Sequence, residues 1–154
     1  MSISIHVKSI FANVFEYCGA TQYFLDRYSS CKCLILMYHR IIPYDEAESR
    51  LQSGMYVLPK TFEMHIRYLK KNFNLIPMSE IIKQGHARSL NPKGLPVCVL
   101  TFDDGWYDFY KYAYPILSNH DVPATVFLTT NFIGTKNRFW TDTLARLCYG
   151  RERE

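Results

Sequence analysis

The sequence predicts an α/β fold in which short buried strands alternate with amphipathic helices. Two observations support this from about residue 33 onward: short apolar runs recur along the chain, and between them apolar residues repeat at helical spacings. Proline, glycine and Asp-Gly stretches separate these runs. This alternation is typical of repeated β/α units around a parallel sheet.

Length and composition favour one packed domain. The 154 residues are 48% hydrophobic and 16% aromatic, which is enough for a real core. The net charge of +4 is spread along the chain with no basic run longer than Lys70-Lys71, so nucleic acid is not an expected partner. The five cysteines are odd in number and Cys98 lies in an apolar run, so a disulfide framework is not expected.

Residues 1–30 are predicted to form an amphipathic helical lead-in, because Ile10 and Val14 begin a helical spacing of apolar residues. Asn13 and Glu16 interrupt any continuous apolar region, so no clear signal peptide is expected. No stretch is long enough to be a transmembrane segment. The sequence assigns no location, and these features favour a cytoplasmic or peripherally membrane-associated chain.

Residues 31–154 hold the predicted β/α units, starting with a strand in "CLILMYH". Each later element follows from its apolar spacing and its bounding turn residues. In order they are a helix over Phe62, Ile66, Leu69 and Phe73, a strand in "NLIP", a small helix from Ser79 to Gly85, a strand in "VCVL", a helix over 107–118, a strand in "PATVFLTT" and a helix in "RFWTDTLARLCYG". Pro115 is expected to kink the helix over 107–118 or to end it early.

Polar residues stand where three of these strands end. The pairs are Tyr38 and His39, Asp103 and Asp104, and Thr129 and Thr130. Parallel β/α folds place their active sites at this edge. Two adjacent carboxylates beside an apolar core repel each other unless a cation or hydrogen-bond donors compensate. The alternative is that Asp-Gly is a turn dipeptide and Asp103 caps the next helix.

The segments "ILMYHRI" at 35–41, "TFDDG" at 101–105 and "VPATVFLTTNFIG" at 122–134 resemble the polysaccharide deacetylases, carbohydrate esterases with the NodB homology domain. The resemblance covers roughly residues 33–147 and implies a distorted (β/α) barrel. The family's later H-[ST]-x-x-H motif is absent from the sequence, and a closed barrel usually needs about 200 residues or more. Residues 31–154 are therefore expected to be the front part of such a domain, incomplete as it stands.

The resemblance implies roles for three residues. It makes Asp103 the general base and Asp104 a ligand of a divalent metal, with zinc expected. His39 is expected to line the substrate groove or to orient a catalytic group, and the alternative is a structural histidine. The implied reaction is metal-dependent hydrolysis of N-acetyl groups on a polysaccharide, with this 154-residue chain inactive on its own.

Two other functions stay open from the sequence. One is a non-catalytic remnant that binds carbohydrate or a partner without the metal pair. The other is a magnesium-dependent phosphoryl-transfer site, although no phosphate-cradling glycine loop is present. Because an interrupted barrel leaves a sheet edge unpaired, self-association of the chain is also expected.

Overall fold

The structure, a computed structural model, describes Tyr23 and residues 33–46, 55–84 and 95–149. The predicted helical lead-in over residues 1–30 lies outside these residues, apart from Tyr23. Within the described ranges, no helix has the length and apolar character needed to cross a membrane.

Six strands are described, and all of their pairings are parallel. They are β1 (Cys33–Tyr38), β2 (Arg40–Ile41), β3 (Tyr56–Val57), β4 (Asn74–Leu75), β5 (Val97–Phe102) and β6 (Thr125–Val126). Strand β5 is central: β1 pairs along its whole length, while β4 and β6 pair with the beginning and end of its other side. Strands β2 and β3 form a separate two-stranded sheet. The predicted parallel α/β arrangement is confirmed.

From β3 onward, helical elements alternate with the strands. They are α1 (Pro59–Asn72), α2 (Met78–Gln84), a π-helical turn (Phe109–Ala113) that leads into α3 (Tyr114–Asn119), a 3-10 turn (Thr130–Phe132) and α4 (Trp140–Tyr149).

Helix α1 shows how the apolar spacing becomes packing. Pro59 begins it, at a position where the missing backbone N–H costs nothing. Phe62, Ile66 and Leu69 are buried, as predicted, and form the face that packs against the sheet. Lys70 in the last turn is placed favourably for the helix dipole.

The helix over 107–118 changes type at the predicted place. A π-helical turn ends at Ala113, and an α-helix with Pro115 in its first positions continues. Proline lacks an N–H and clashes with the carbonyl four residues earlier, so a wider turn before it relieves the conflict. Ala113 and Leu117 are buried against the core, as the spacing predicts.

The main core lies between one face of the sheet and the helices. Phe102 of β5 stacks on Tyr38 of β1 at 5.4 Å between ring centroids, and Phe62 of α1 meets both rings edge-on. All six residues of β5 are buried, as expected for a central parallel strand. A smaller cluster on the sheet's other side contains Ile76, Val97 and Val99.

Two sequence predictions about strands need correction. The strand in "PATVFLTT" is shorter than predicted, because β6 pairs with the last two residues of β5 and has no partner strand beyond Val126. Thr129 therefore lies in a loop and Thr130 begins the 3-10 turn. Strands β2 and β3 were not predicted, since neither lies in an apolar run that was read as a strand of its own. The described strands form open sheets, and the barrel stays a prediction.

Candidate active site

An open cleft of about 450 Å³ lies at the carboxyl end of β5. Its lining includes Ile35, Met37, Thr101, Asp103, Asp104 and Leu128. Ile35 and Met37 are 51% and 59% exposed, so the wall that β1 contributes is apolar and open to solvent. The cleft therefore combines two carboxylates with an apolar wall.

Strand alternation directs Asp103 into this cleft. Tyr38 and Phe102 are opposite each other in register and both face the helix-covered core. Successive side chains along a strand point to opposite faces, so Met37 and Thr101 face the other way, as does Asp103. The Asp103 N–H donates to the Tyr38 carbonyl at 3.0 Å, which extends the β1–β5 pairing to the aspartate itself.

A tight turn brings Asp104 into the same cleft. Simple alternation would send two adjacent side chains to opposite faces, but β5 ends at Phe102. Asp104 and Gly105 both adopt left-handed backbone conformations, with φ of 71° and 69°. Aspartate tolerates this conformation better than most residues, and glycine adopts it freely. A Cβ at position 105 would meet Leu128 Cδ2, the end of an exposed side chain that can turn away, so the left-handed backbone is what favours glycine here.

The third predicted site residue, His39, lies beside the cleft and not in its wall. It links β1 to β2 and stands next to Asp103 at the carboxyl ends of the two paired strands. Its side chain is half-buried and is not among those that line the cleft. The structure thus brings Asp103 and Asp104 together and keeps His39 as their backbone neighbour.

An ion pair that sequence reasoning missed ties the aspartate loop to β2. Arg40 Nε donates to Asp108 Oδ2 at 2.7 Å, the Ile41 N–H donates to Asp108 Oδ1 at 3.3 Å, and the Arg40 guanidinium lies 4.3 Å from the Trp106 ring centroid. Burial raises the pKa of Asp108, and the bonds from Arg40 partly oppose that rise. No local pattern signals this contact, because its partners are 68 residues apart.

The described residues do not form a complete zinc site. Among them, no group of three or more His, Cys, Asp and Glu side chains is close enough together to hold a metal ion. A catalytic zinc normally takes three protein ligands. The cleft supplies the carboxylates of Asp103 and Asp104, which suit a divalent cation in type but are too few in number.

Comparison with known proteins identifies the segment that contains both aspartates. Residues 91–149 match the sequence pattern of a family described as polysaccharide deacetylase. Residues 91–149 belong to the polysaccharide deacetylase family. This confirms the resemblance that "TFDDG" and its flanking segments indicated.

Curated deacetylase relatives match a larger part of the chain. It is 31% identical over 119 residues to the Bacillus subtilis protein named "Putative polysaccharide deacetylase YxkH", covering 75% of this chain and 38% of the relative. It is 29% identical over 120 residues to the poly-beta-1,6-N-acetyl-D-glucosamine N-deacetylase of Staphylococcus epidermidis, covering 72% and 40%. The chain thus spans about two fifths of the length of these relatives.

Solved deacetylase structures share the fold. IcaB from Ammonifex degensii has a TM-score of 0.57 at 24% identity, covering 70% of this chain and 42% of that one. A de-N-acetylase from Aggregatibacter actinomycetemcomitans has a TM-score of 0.53 at 25% identity, covering 67% and 39%. The Streptococcus pyogenes deacetylase PplD has a TM-score of 0.50 at 28% identity, covering 75% and 52%. The parallel α/β arrangement described above is therefore one that deacetylases use.

Proposed function

We propose that this chain carries the aspartate-bearing part of a metal-dependent polysaccharide deacetylase, which hydrolyses N-acetyl groups on a glycan. One observation carries the proposal: Asp103 and Asp104 lie within the deacetylase family segment and line one cleft at the carboxyl end of a parallel strand. The substrate class follows the Staphylococcus epidermidis relative, whose name specifies poly-beta-1,6-N-acetyl-D-glucosamine.

In this proposal the two aspartates have different tasks. Asp103 accepts the proton of the water that attacks the amide carbonyl carbon, which is the task of a general base. Asp104 would supply one carboxylate to a divalent cation, with zinc expected, and that cation would polarise a carbonyl oxygen and acidify water. The turn at Asp104 and Gly105 supports this division of tasks. It brings both carboxylates to one cleft, although Asp103 continues the strand pairing and Asp104 has a left-handed backbone.

His39 is proposed to contribute to the substrate groove from its position beside Asp103. Its half-buried side chain at the strand end is compatible with orienting a bound sugar or a catalytic group. The structural alternative is a histidine that only packs at the strand end. His39→Gln in an active deacetylase chain should raise KM for the glycan under the first role and leave KM unchanged under the second.

The ligand count supports a further part of the proposal, that residues 1–154 alone are inactive. The residues that the structure describes bring two carboxylates to the cleft, fewer than the three protein ligands of a catalytic zinc site. We expect weak zinc binding and no acetate release from the 154-residue chain. Adding a segment with the H-[ST]-x-x-H motif should give tight zinc binding and acetate release.

The test compares two aspartate variants in that extended chain. Asp104→Asn should weaken zinc binding, whereas Asp103→Asn should keep zinc and lose turnover, because only the base is removed. Calorimetric zinc titration and an acetate-release assay on N-acetylated oligosaccharide measure the two effects. Asp121→Asn is the matched control, since Asp121 shares the positive φ of Asp104, at 50°, and is exposed away from the cleft lining. Tight stoichiometric zinc binding by the 154-residue chain, or zinc loss in both variants, contradicts the assignment.

A second candidate function is a non-catalytic remnant that binds carbohydrate or a partner. The incomplete ligand set among the described residues favours it. Glycan binding by the extended chain without acetate release, even with zinc present, would select this candidate over the enzyme.

Self-association is also proposed, through the edge of the main sheet. Among the described strands, β1 pairs with β5 and with no strand on its other side. Ile35 and Met37 are exposed next to that edge, and uncovered edges pair with other chains. Light scattering should detect dimers or larger species at micromolar concentration, and a stable monomer across that range would contradict the proposal.

A further inference from the structure

Three exposed tyrosines form a row on the helical segment that follows the aspartate turn. Tyr107, Tyr110 and Tyr114, here called the tyrosine stripe, are 72%, 65% and 52% exposed. Their ring centroids are 6.1 Å and 6.0 Å apart in sequence order. The second pair of rings is nearly parallel, at 11° between planes, and the first pair is tilted by 41°.

Packing of the fold does not account for the stripe. The same segment uses Ala113 and Leu117 as its buried side, and Phe109 packs against the core from the same side. Large aromatic side chains grouped on a protein surface are typical of binding sites. Tyrosine suits such a site because it offers a flat apolar ring with a polar hydroxyl at its end.

The surroundings of the stripe indicate a partner without net charge. Two charged residues lie between positions 106 and 114, and both are paired. Asp108 is buried against Arg40 at 2.7 Å, and Lys111 Nζ lies 3.0 Å from a Glu46 carboxylate oxygen. A membrane surface or an acidic partner would be met by free cationic side chains, and neither pair leaves one.

The stripe begins close to the cleft along the chain, although its tyrosines do not line the cleft. Tyr107 is three residues beyond Asp104, so the row starts beside the aspartate turn and continues away from it along the helix. A neutral polymer of pyranose rings would place apolar sugar faces on the tyrosine rings and hydroxyls within reach of the phenol groups. The ring spacing is on the scale of a single sugar residue.

We infer that the tyrosine stripe is a glycan-binding track, which holds an N-acetylated polysaccharide chain outside the cleft. The choice of glycan rests on the proposed function, whereas the stripe itself rests on the exposure and ring geometry of three side chains. Tyr110 is the central residue, because it belongs to both ring pairs.

The test is calorimetric titration of the 154-residue chain with a β-1,6-linked N-acetylglucosamine hexamer. Tyr110→Ala should weaken binding about fivefold or more, a loss of about 1 kcal/mol. Tyr110→Phe should retain most of the affinity, because the ring remains. Tyr68→Ala is the matched control, an exposed tyrosine on α1, and it should bind like the parent chain. Circular dichroism confirms that each variant folds.

Three results would overturn the inference: no saturable binding by the parent chain, unchanged affinity in Tyr110→Ala, or equal losses in Tyr110→Ala and Tyr68→Ala. Failure of the proposed function gives a different pattern. If the extended chain releases no acetate but hexamer binding depends on Tyr110, the stripe stands and the enzyme assignment falls. If acetate is released but hexamer binding ignores Tyr110, the stripe falls and the assignment stands.

Discussion

The two faces of the main sheet differ in what covers them. One face packs Tyr38 and Phe102 against Phe62 of α1, with ring centroids 5.2–5.7 Å apart. The other face carries Ile35 and Met37, both more than half exposed, along the cleft that holds the aspartates. A single strand, β1, contributes alternate residues to both faces. Because of strand alternation, the residues of β1 that stabilise the core differ from those that line the candidate site.

The largest expected difference in the free energy of unfolding is between variants of one residue from each face. Phe62→Ala removes a fully buried ring and should lower the free energy of unfolding by about 3–5 kcal/mol. Met37→Ala removes a mostly exposed side chain and should cost less than about 1 kcal/mol. Urea unfolding followed by circular dichroism measures both. Similar losses in the two variants would mean that the open face is covered in solution.

An intermediate effect on stability is expected at the turn after β5, which brings Asp104 into the cleft. Gly105→Ala forces a left-handed backbone on alanine and turns the exposed Leu128 side chain aside, so it should cost about 1–2 kcal/mol of strain plus a smaller cost for that movement. Gly134 has a similar φ of 71°, and no described atom lies within 4 Å of an added Cβ there. Gly134→Ala should therefore cost only the strain, about 1–2 kcal/mol. Thermal unfolding of the two variants compares these costs, and a loss in Gly105→Ala several kcal/mol larger than in Gly134→Ala would contradict the expected movement of the Leu128 side chain.

The smallest effect concerns the hydroxyl of Tyr38, at the margin of the covered face. Its oxygen lies 3.2 Å from His65 Nδ1, so Tyr38→Phe should cost about 0.5–1.5 kcal/mol at neutral pH. Burial, with a smaller contribution from Cys98, raises the pKa of Tyr38 to about 12.

The raised pKa of Tyr38 predicts how the stability difference between the parent chain and Tyr38→Phe changes with pH. A tyrosine in the unfolded chain ionises near about pH 10, before the folded one does. Stability from the neutral hydroxyl is therefore complete below about pH 10 and is lost as the pH rises toward about 12. Tyr38→Phe lacks this loss, so its disadvantage should shrink in that window. Unfolding curves at neutral and alkaline pH measure the change, and a constant difference would contradict the burial of the hydroxyl.

Most of the fold was predictable because the apolar patterns are long enough to show their period. The four-three-four spacing from Phe62 to Phe73 predicted α1, and the run from Val97 to Leu100 predicted the central strand. Of the four described two-residue strands, β4 was predicted in "NLIP", whereas β2 and β3 were missed and β6 was given a wrong length. Their extent depends on which partner strand is present, and a local pattern carries no such information.

The sequence alone determined the residue types of the candidate site and their place at the end of a strand, because both follow from local order. Only the tertiary structure decided that Asp103 and Asp104 share one cleft, since that depends on the left-handed turn at Asp104, and that Leu128 from a distant loop lines the same cleft. It also decided the Arg40–Asp108 contact and the exposure of the tyrosine stripe. The physical reason is the same in each case: burial and contact join residues far apart along the chain, and local periodicity does not encode them.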